Sequence, residues 1–64
     1  MKKGYGDKLR ALRGEKTIEK VADDLKISYS ALAMYEHEER RPRDFIKVKI
    51  ADYYHTTVQA IFFD

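Results

Sequence analysis

Apolar residues recur at helical spacing in five successive segments of this chain, separated by short polar breaks. Tyr5, Leu9 and Leu12 fall at i, i+4 and i+7 with Lys8, Arg10 and Arg13 between them, which predicts a first amphipathic helix ended by Gly14. Ile18, Val21, Ala22 and Leu25 fall at i, i+3, i+4 and i+7, with Glu19, Lys20, Asp23 and Asp24 opposite and Thr17 as N-cap. Only Lys26 and Ile27 separate Leu25 from Ser28, a second capping residue. A third helix therefore follows around a tight turn and crosses the second steeply. Its Ala31, Leu32 and Tyr35 point one way, and Ser30, Ala33, Met34 and His37 point the other.

The stretch from Glu36 to Arg43 is a charged connection, after which Pro42, Arg43 and Asp44 open a fourth helix, where proline is tolerated in the first turn. Ile46, Val48 and Ile50 alternate as in a strand, but Ile46, Ile50 and Tyr54 also lie at i, i+4 and i+8. A lone strand would have no partner in this chain, so the segment is read as helix. His55 and Thr56 break the pattern, Thr57 caps a short fifth helix, and Val58, Ile61 and Phe62 supply its apolar face. The expected fold is all-α, a compact five-helix single domain over residues 1–64.

Length limits what such a domain can do. A chain of 64 residues buries roughly 60% of its unfolded surface, which leaves little room for an enclosed catalytic pocket. With no cysteine, neither a disulfide nor a thiolate metal site can staple it, and packing alone must hold it together. Small helical domains manage this because most of their contacts are local. His37 and His55 lie on different elements with no nucleophile or paired carboxylate beside them, so no metal, no cofactor and no enzymatic activity is expected. Met1, Lys2, Lys3 and Gly4 run straight into charged sequence without the apolar stretch of a secretory leader, and no run could cross a membrane. A cytoplasmic protein is the expectation.

The net charge is only +2, but it is unevenly placed: residues 1–16 carry six basic and two acidic side chains, and residues 28–43 carry three of each. Charge alone is a thin argument for nucleic acid, and pattern must carry the rest.

That pattern lies between Thr17 and Glu36. Thr17, Val21, Ala22, Leu25, Ile27, Ser28, Leu32 and Glu36 resemble the Cro and phage-repressor type of helix-turn-helix, the Xre-like family, with the motif over about residues 17–37. Leu9 to Arg13 resembles the family's first helix; Arg40, Pro42, Arg43 and Asp44 with Ile50 and Ala51, and Val58 with Ile61, Phe62 and Phe63, resemble its fourth and fifth. The resemblance implies a third helix seated in the DNA major groove, and a partly buried ion pair between Arg13 and Glu36 that ties the first helix to the third. Ala22 suits the motif because the two helices cross closely there. The chain also departs from the pattern. Lys26 stands where glycine is usual, which implies a left-handed residue at a cost of roughly 1 kcal/mol. No glycine follows Glu36, so the third helix is expected to run longer. Ile18 replaces a polar phosphate-holding residue, leaving backbone N–H groups at that helix start to serve.

A recognition helix reads bases from its N-terminal half, on the face turned from the core, which here means Tyr29, Ser30, Ala33 and Met34, with His37 farther along. The set has no Arg, Asn or Gln for bidentate contacts, so readout leans on apolar contacts and DNA shape. Thr17, Lys20, Ser28, Arg40, Arg41 and Arg43 are the candidate phosphate contacts, with Lys16 and Lys47 as further cations; Glu38 and Glu39 are expected to point away. One recognition helix spans few base pairs, so useful occupancy needs two copies. Phe45 and Val48 on the outer side of the fourth helix, with Ile61 and Phe63, are the candidate dimer surface. The expected function is a homodimeric transcriptional regulator, a repressor, on a palindromic double-stranded operator. The alternative keeps the fold as a protein-interaction module, of antitoxin or antirepressor kind, gripping a protein partner through Tyr29, Ala33, Met34 and the edge at Glu38 and Glu39.

Overall fold

The computed structural model describes residues 4–63, which form five helices and, among the described residues, no strand. The stretch Met1 to Lys3, read above for a leader, lies outside the described residues. The helices are α1 (Tyr5–Arg13), α2 (Ile18–Leu25), α3 (Tyr29–Glu36), α4 (Asp44–Tyr53) and α5 (Val58–Phe62). None is long and apolar enough to cross a membrane.

Hydroxyl caps start three of them. Thr17 Oγ1 accepts from the Lys20 amide, Ser28 Oγ from Ala31 and Thr57 Oγ1 from Ala60, each at 3.0 Å. Such a cap contributes about 1 kcal/mol by satisfying an amide the helix itself leaves unpaired. Burial then selects the packing: α1 lies against α3 and α5, α2 against α3 and α4, and α4 against α5. Leu9, Val21, Leu25, Leu32, Ile50 and Ile61 close the core between them.

Left-handed residues stop α2, α3 and α4. Lys26, at φ 62 and ψ 40, ends α2 while the Ile27 amide reaches back to the Ala22 carbonyl at 3.0 Å, a Schellman closure made without glycine. Glu38 does the same for α3 at φ 59, with the Glu39 amide on the Met34 carbonyl at 2.9 Å. The third helix therefore ends at Glu36 and does not run on, correcting the expectation drawn from the missing glycine. The Glu38 carboxylate turns back to α1, where Oε2 accepts from the Gly6 amide at 3.0 Å. This contact is a local gain at the N-terminal end of a helix dipole, set against the backbone cost at Glu38.

Gly6 also decides how α1 sits. A side-chain carbon at this buried glycine would overlap the Glu36 carbonyl, so only glycine lets the two helices approach so closely. The helix is rolled so that Gly6, Leu9 and Arg13 face α3, which leaves Leu12 at the rim, 40% exposed. Leu12 was expected on the core face; the close approach at Gly6 displaces it.

Candidate nucleic-acid interface

Helices α2 and α3 form a rigid corner. Ala22 is buried where they meet, and α3 turns Leu32, Tyr35 and Glu36 into the protein. Its other face holds Tyr29, 58% exposed, and Ser30, exposed, in the first turn; Ala33 and Met34 are half-buried and His37 is exposed. A shallow depression between the two helices is lined by Thr17, Glu19, Lys20, Asp23, Ile27 and Tyr29. Tyr29 therefore stands out of the core at the mouth of this depression.

The orientation of α3 is fixed from α1. Arg13 Nε donates to Glu36 Oε2 at 2.7 Å and Nη2 to Oε1 at 3.0 Å, while Nη1 donates to the Lys16 carbonyl at 2.7 Å. Glu36 is 1% exposed, so its charge has no solvent to fall back on. The hydrogen bonds to Glu36 raise the arginine's affinity for its proton, against the opposing effect of burial. Arg10 adds a donor to the Glu36 backbone carbonyl and pairs with Asp7 on its other side. The side-chain donors to Glu36 thus both come from α1, which ties that helix to the end of α3.

The candidate phosphate contacts separate into two groups. Thr17 and Ser28 stand at the starts of α2 and α3, their oxygens accepting backbone amides and their hydroxyl protons left to donate. Lys20 is on the exposed side of α2 and pairs with Asp24 at 3.1 Å. Arg40 and Arg43 are exposed in the α3–α4 connection. Arg41 is exposed in the same connection but makes further contacts. Its guanidinium donates to the Phe62 carbonyl at 3.2 Å and lies 5.0 Å from the Tyr5 ring centre, engaged with the end of α5. Lys47 also departs from its reading as a surface cation: it is buried on the inner side of α4 next to Ile50 and Ala51. Its ammonium lies 3.7 Å from Asp44 and 4.8 Å from the Phe63 ring centre. A lysine stem can fill a core position while the ammonium seeks a charge and a π-face, which accounts for Lys47; Arg41 stays exposed.

On the candidate dimer surface, Phe45 is 65% exposed, and Val48 and Phe63 are each 50% exposed. Ile61 is not with them. It is buried in the core, because α5 turns it inward beside Phe62, and it has no surface to offer a partner. Sequence reading missed the placements of Glu38, Arg41 and Tyr53, since each makes its polar contacts with a residue at least 21 positions away and no local pattern signals them.

An all-helical chain with a two-helix corner, a tight turn and an outward second motif helix is a helix-turn-helix protein. Residues 8–61 match the family described as Helix-turn-helix. The chain belongs to this family, in its Xre/Cro-like form, a family of DNA-binding regulators. Neither the curated proteins nor the solved structures gave a match.

Proposed function

We propose that this protein is a cytoplasmic, sequence-specific transcriptional regulator, a repressor, that binds a palindromic double-stranded operator as a homodimer. The observation that carries the reading is the outer face of α3. Tyr29 and Ser30 in its first turn are exposed, Ala33 and Met34 follow them, and hydroxyl-capped helix starts flank them at Thr17 and Ser28. A small, unencumbered face of this kind fits a major groove; Ser30 supplies a hydrogen-bonding group and Ala33 and Met34 supply apolar contact to thymine methyls. Lys20, Arg40 and Arg43 serve the phosphates, and Glu38, bound to α1, does not oppose them.

The test is selection from random duplexes in a gel shift. Enrichment of a palindrome supports the reading, and its failure at low salt sinks it. Arg43→Ala is expected to weaken all sequences alike, and log K against log[salt] to fall by roughly 0.9 for each phosphate neutralised. Met34→Ala and Ser30→Ala are expected to change which sequences are preferred.

A second reading, a protein-interaction module, draws on Glu19 and Asp23, which line the depression beside Tyr29 and give its edge an acidic character poorly suited to phosphate. Binding to no duplex of any sequence, with Tyr29→Ala still well folded, would favour it.

A further inference from the structure

Along one side of α2, four polar side chains from three segments converge. Tyr53, at the end of α4, donates its hydroxyl proton to Asp24 Oδ2 at 2.7 Å. Lys20 donates to Asp24 Oδ1 at 3.1 Å. Lys16, in the turn before α2, places Nζ 3.5 Å from the Tyr53 hydroxyl and 5.0 Å from its ring centre. One carboxylate thus has both oxygens taken, among two ammonium groups and a phenol.

An exposed lysine and aspartate four apart on a helix are common and contribute little. A second donor reaching the same carboxylate from a helix 29 positions away is a different matter, since it gives the group a fixed place. The bonds from Tyr53 and then Lys20 hold the Asp24 carboxyl below the usual carboxylate range, and Asp24 in turn raises both Lys20 and Tyr53. The donor set is that of an anion site. A backbone phosphate offers the same chemistry as the carboxylate, two acceptor oxygens carrying one negative charge. Lys20 also lines the depression with Thr17 and Tyr29, so the cluster borders the outer end of the recognition helix.

Resting on the DNA-binding reading above, we propose that Lys16, Lys20 and Tyr53 form a site for a DNA backbone phosphate, and that Asp24 occupies it in the free protein. Asp24 is then an internal competitor. Duplex must displace its carboxylate before the two lysines and the tyrosine hydroxyl can turn to the phosphate, so Asp24 lowers affinity for every sequence without affecting which bases are read.

The test measures binding of the whole chain to a labelled duplex at low salt by fluorescence anisotropy, with circular dichroism to check folding. Asp24→Asn is expected to tighten binding by about threefold, the scale of one exposed ion pair. Asp52→Asn removes the same charge from an exposed place on α4 and is expected to change affinity by clearly less. In a Lys20→Ala background the Asp24→Asn gain is expected to disappear, since the competitor then guards a weakened site. Tyr53→Phe added to Asp24→Asn is expected to weaken binding relative to Asp24→Asn alone. Equal gains from Asp24→Asn and Asp52→Asn, or a gain that survives Lys20→Ala, overturn the proposal while leaving DNA binding intact. If no variant and no wild-type protein binds duplex, the DNA-binding reading itself fails and takes this one with it.

Discussion

Arg13 and Glu36 stand 23 positions apart and meet through two hydrogen bonds, the guanidinium near the surface and the carboxylate fully buried. This pair couples the end of α1 to the end of α3, and its asymmetry of burial sets what its removal does. Breaking such a pair from one side leaves a charge in a dry place and costs about 3–5 kcal/mol, whereas replacing both partners by apolar groups costs far less. Arg13→Met is expected to lose about 3 kcal/mol in urea unfolding, and the double variant Arg13→Met with Glu36→Met to recover much of it. Additive losses in the double variant would show that the two residues do not act as a pair.

Lys26, Glu38 and His55 end helices in the left-handed conformation, and the first two are expected to respond differently to glycine. Lys26 holds φ 62 with an exposed side chain, so Lys26→Gly relieves backbone strain and is expected to raise stability by up to about 1 kcal/mol. Glu38 holds φ 59, but its carboxylate bonds the Gly6 amide, so the same change there also removes a contact that ties α3 to α1. Glu38→Gly is expected to bring no gain. A thermal melt in which both variants rise equally would refute the role given to the Glu38 carboxylate.

The five helices, their order and the caps at Thr17, Ser28 and Thr57 were legible in the sequence, because each rests on spacing within a few residues. Lys26 in the left-handed conformation follows from the resemblance, since it stands where the family usually has glycine. What could not be read was how helices roll against each other. The inner side of α4 carries Lys47, Ile50 and Ala51, and a lysine on a core face looks like surface to any hydropathy pattern. Leu12 failed in the opposite direction, because the roll of α1 depends on a backbone approach at Gly6 that only the fold reveals. The same limit applies at the candidate site. Arg41 and Arg43 are near neighbours in sequence with the same chemistry, and the bond of Arg41 to the carbonyl of Phe62, 21 positions away, is what no local pattern shows.

Tyr54 makes folding sensitive to alkali. Burial first, and then the nearby Glu36 carboxylate, push its hydroxyl up to about 12 from an ordinary 10.0. The folded protein therefore keeps a proton that the unfolded chain gives up. Its contribution is fully present below pH 10.0 and is lost as pH rises towards about 12, with the smaller upward shifts of Tyr5 and Tyr53 acting in the same direction. The Tyr54 hydroxyl is also buried with no hydrogen-bond partner among the described residues. Tyr54→Phe is thus expected to lose little or no stability at pH 7 and to flatten the decline between pH 10 and 12, because a buried group without a partner costs about 1–3 kcal/mol of desolvation. A loss well above 1 kcal/mol at neutral pH would mean that the hydroxyl has a partner after all.

The homodimer in the proposed function is tested at Phe63. Phe45, Val48 and Phe63 are exposed large apolar side chains, and such residues gathered on one small domain mark an interface more often than chance. Two cations flank Phe63: Arg41 lies 5.8 Å from its ring centre and Lys47 4.8 Å. A two-fold arrangement of two copies there would set the recognition helices about 34 Å apart, one duplex turn. Phe63→Asp removes the apolar edge and places the new carboxylate between those two cations, which compensates the monomer and keeps it folded. Sedimentation is expected to show the unmutated protein as a dimer and the variant as a folded monomer that has lost most specific binding. Val48→Glu, on the outer side of α4, is expected to do the same through a different helix. An unmutated protein that stays monomeric at high concentration, or variants that still dimerise, would place the interface elsewhere.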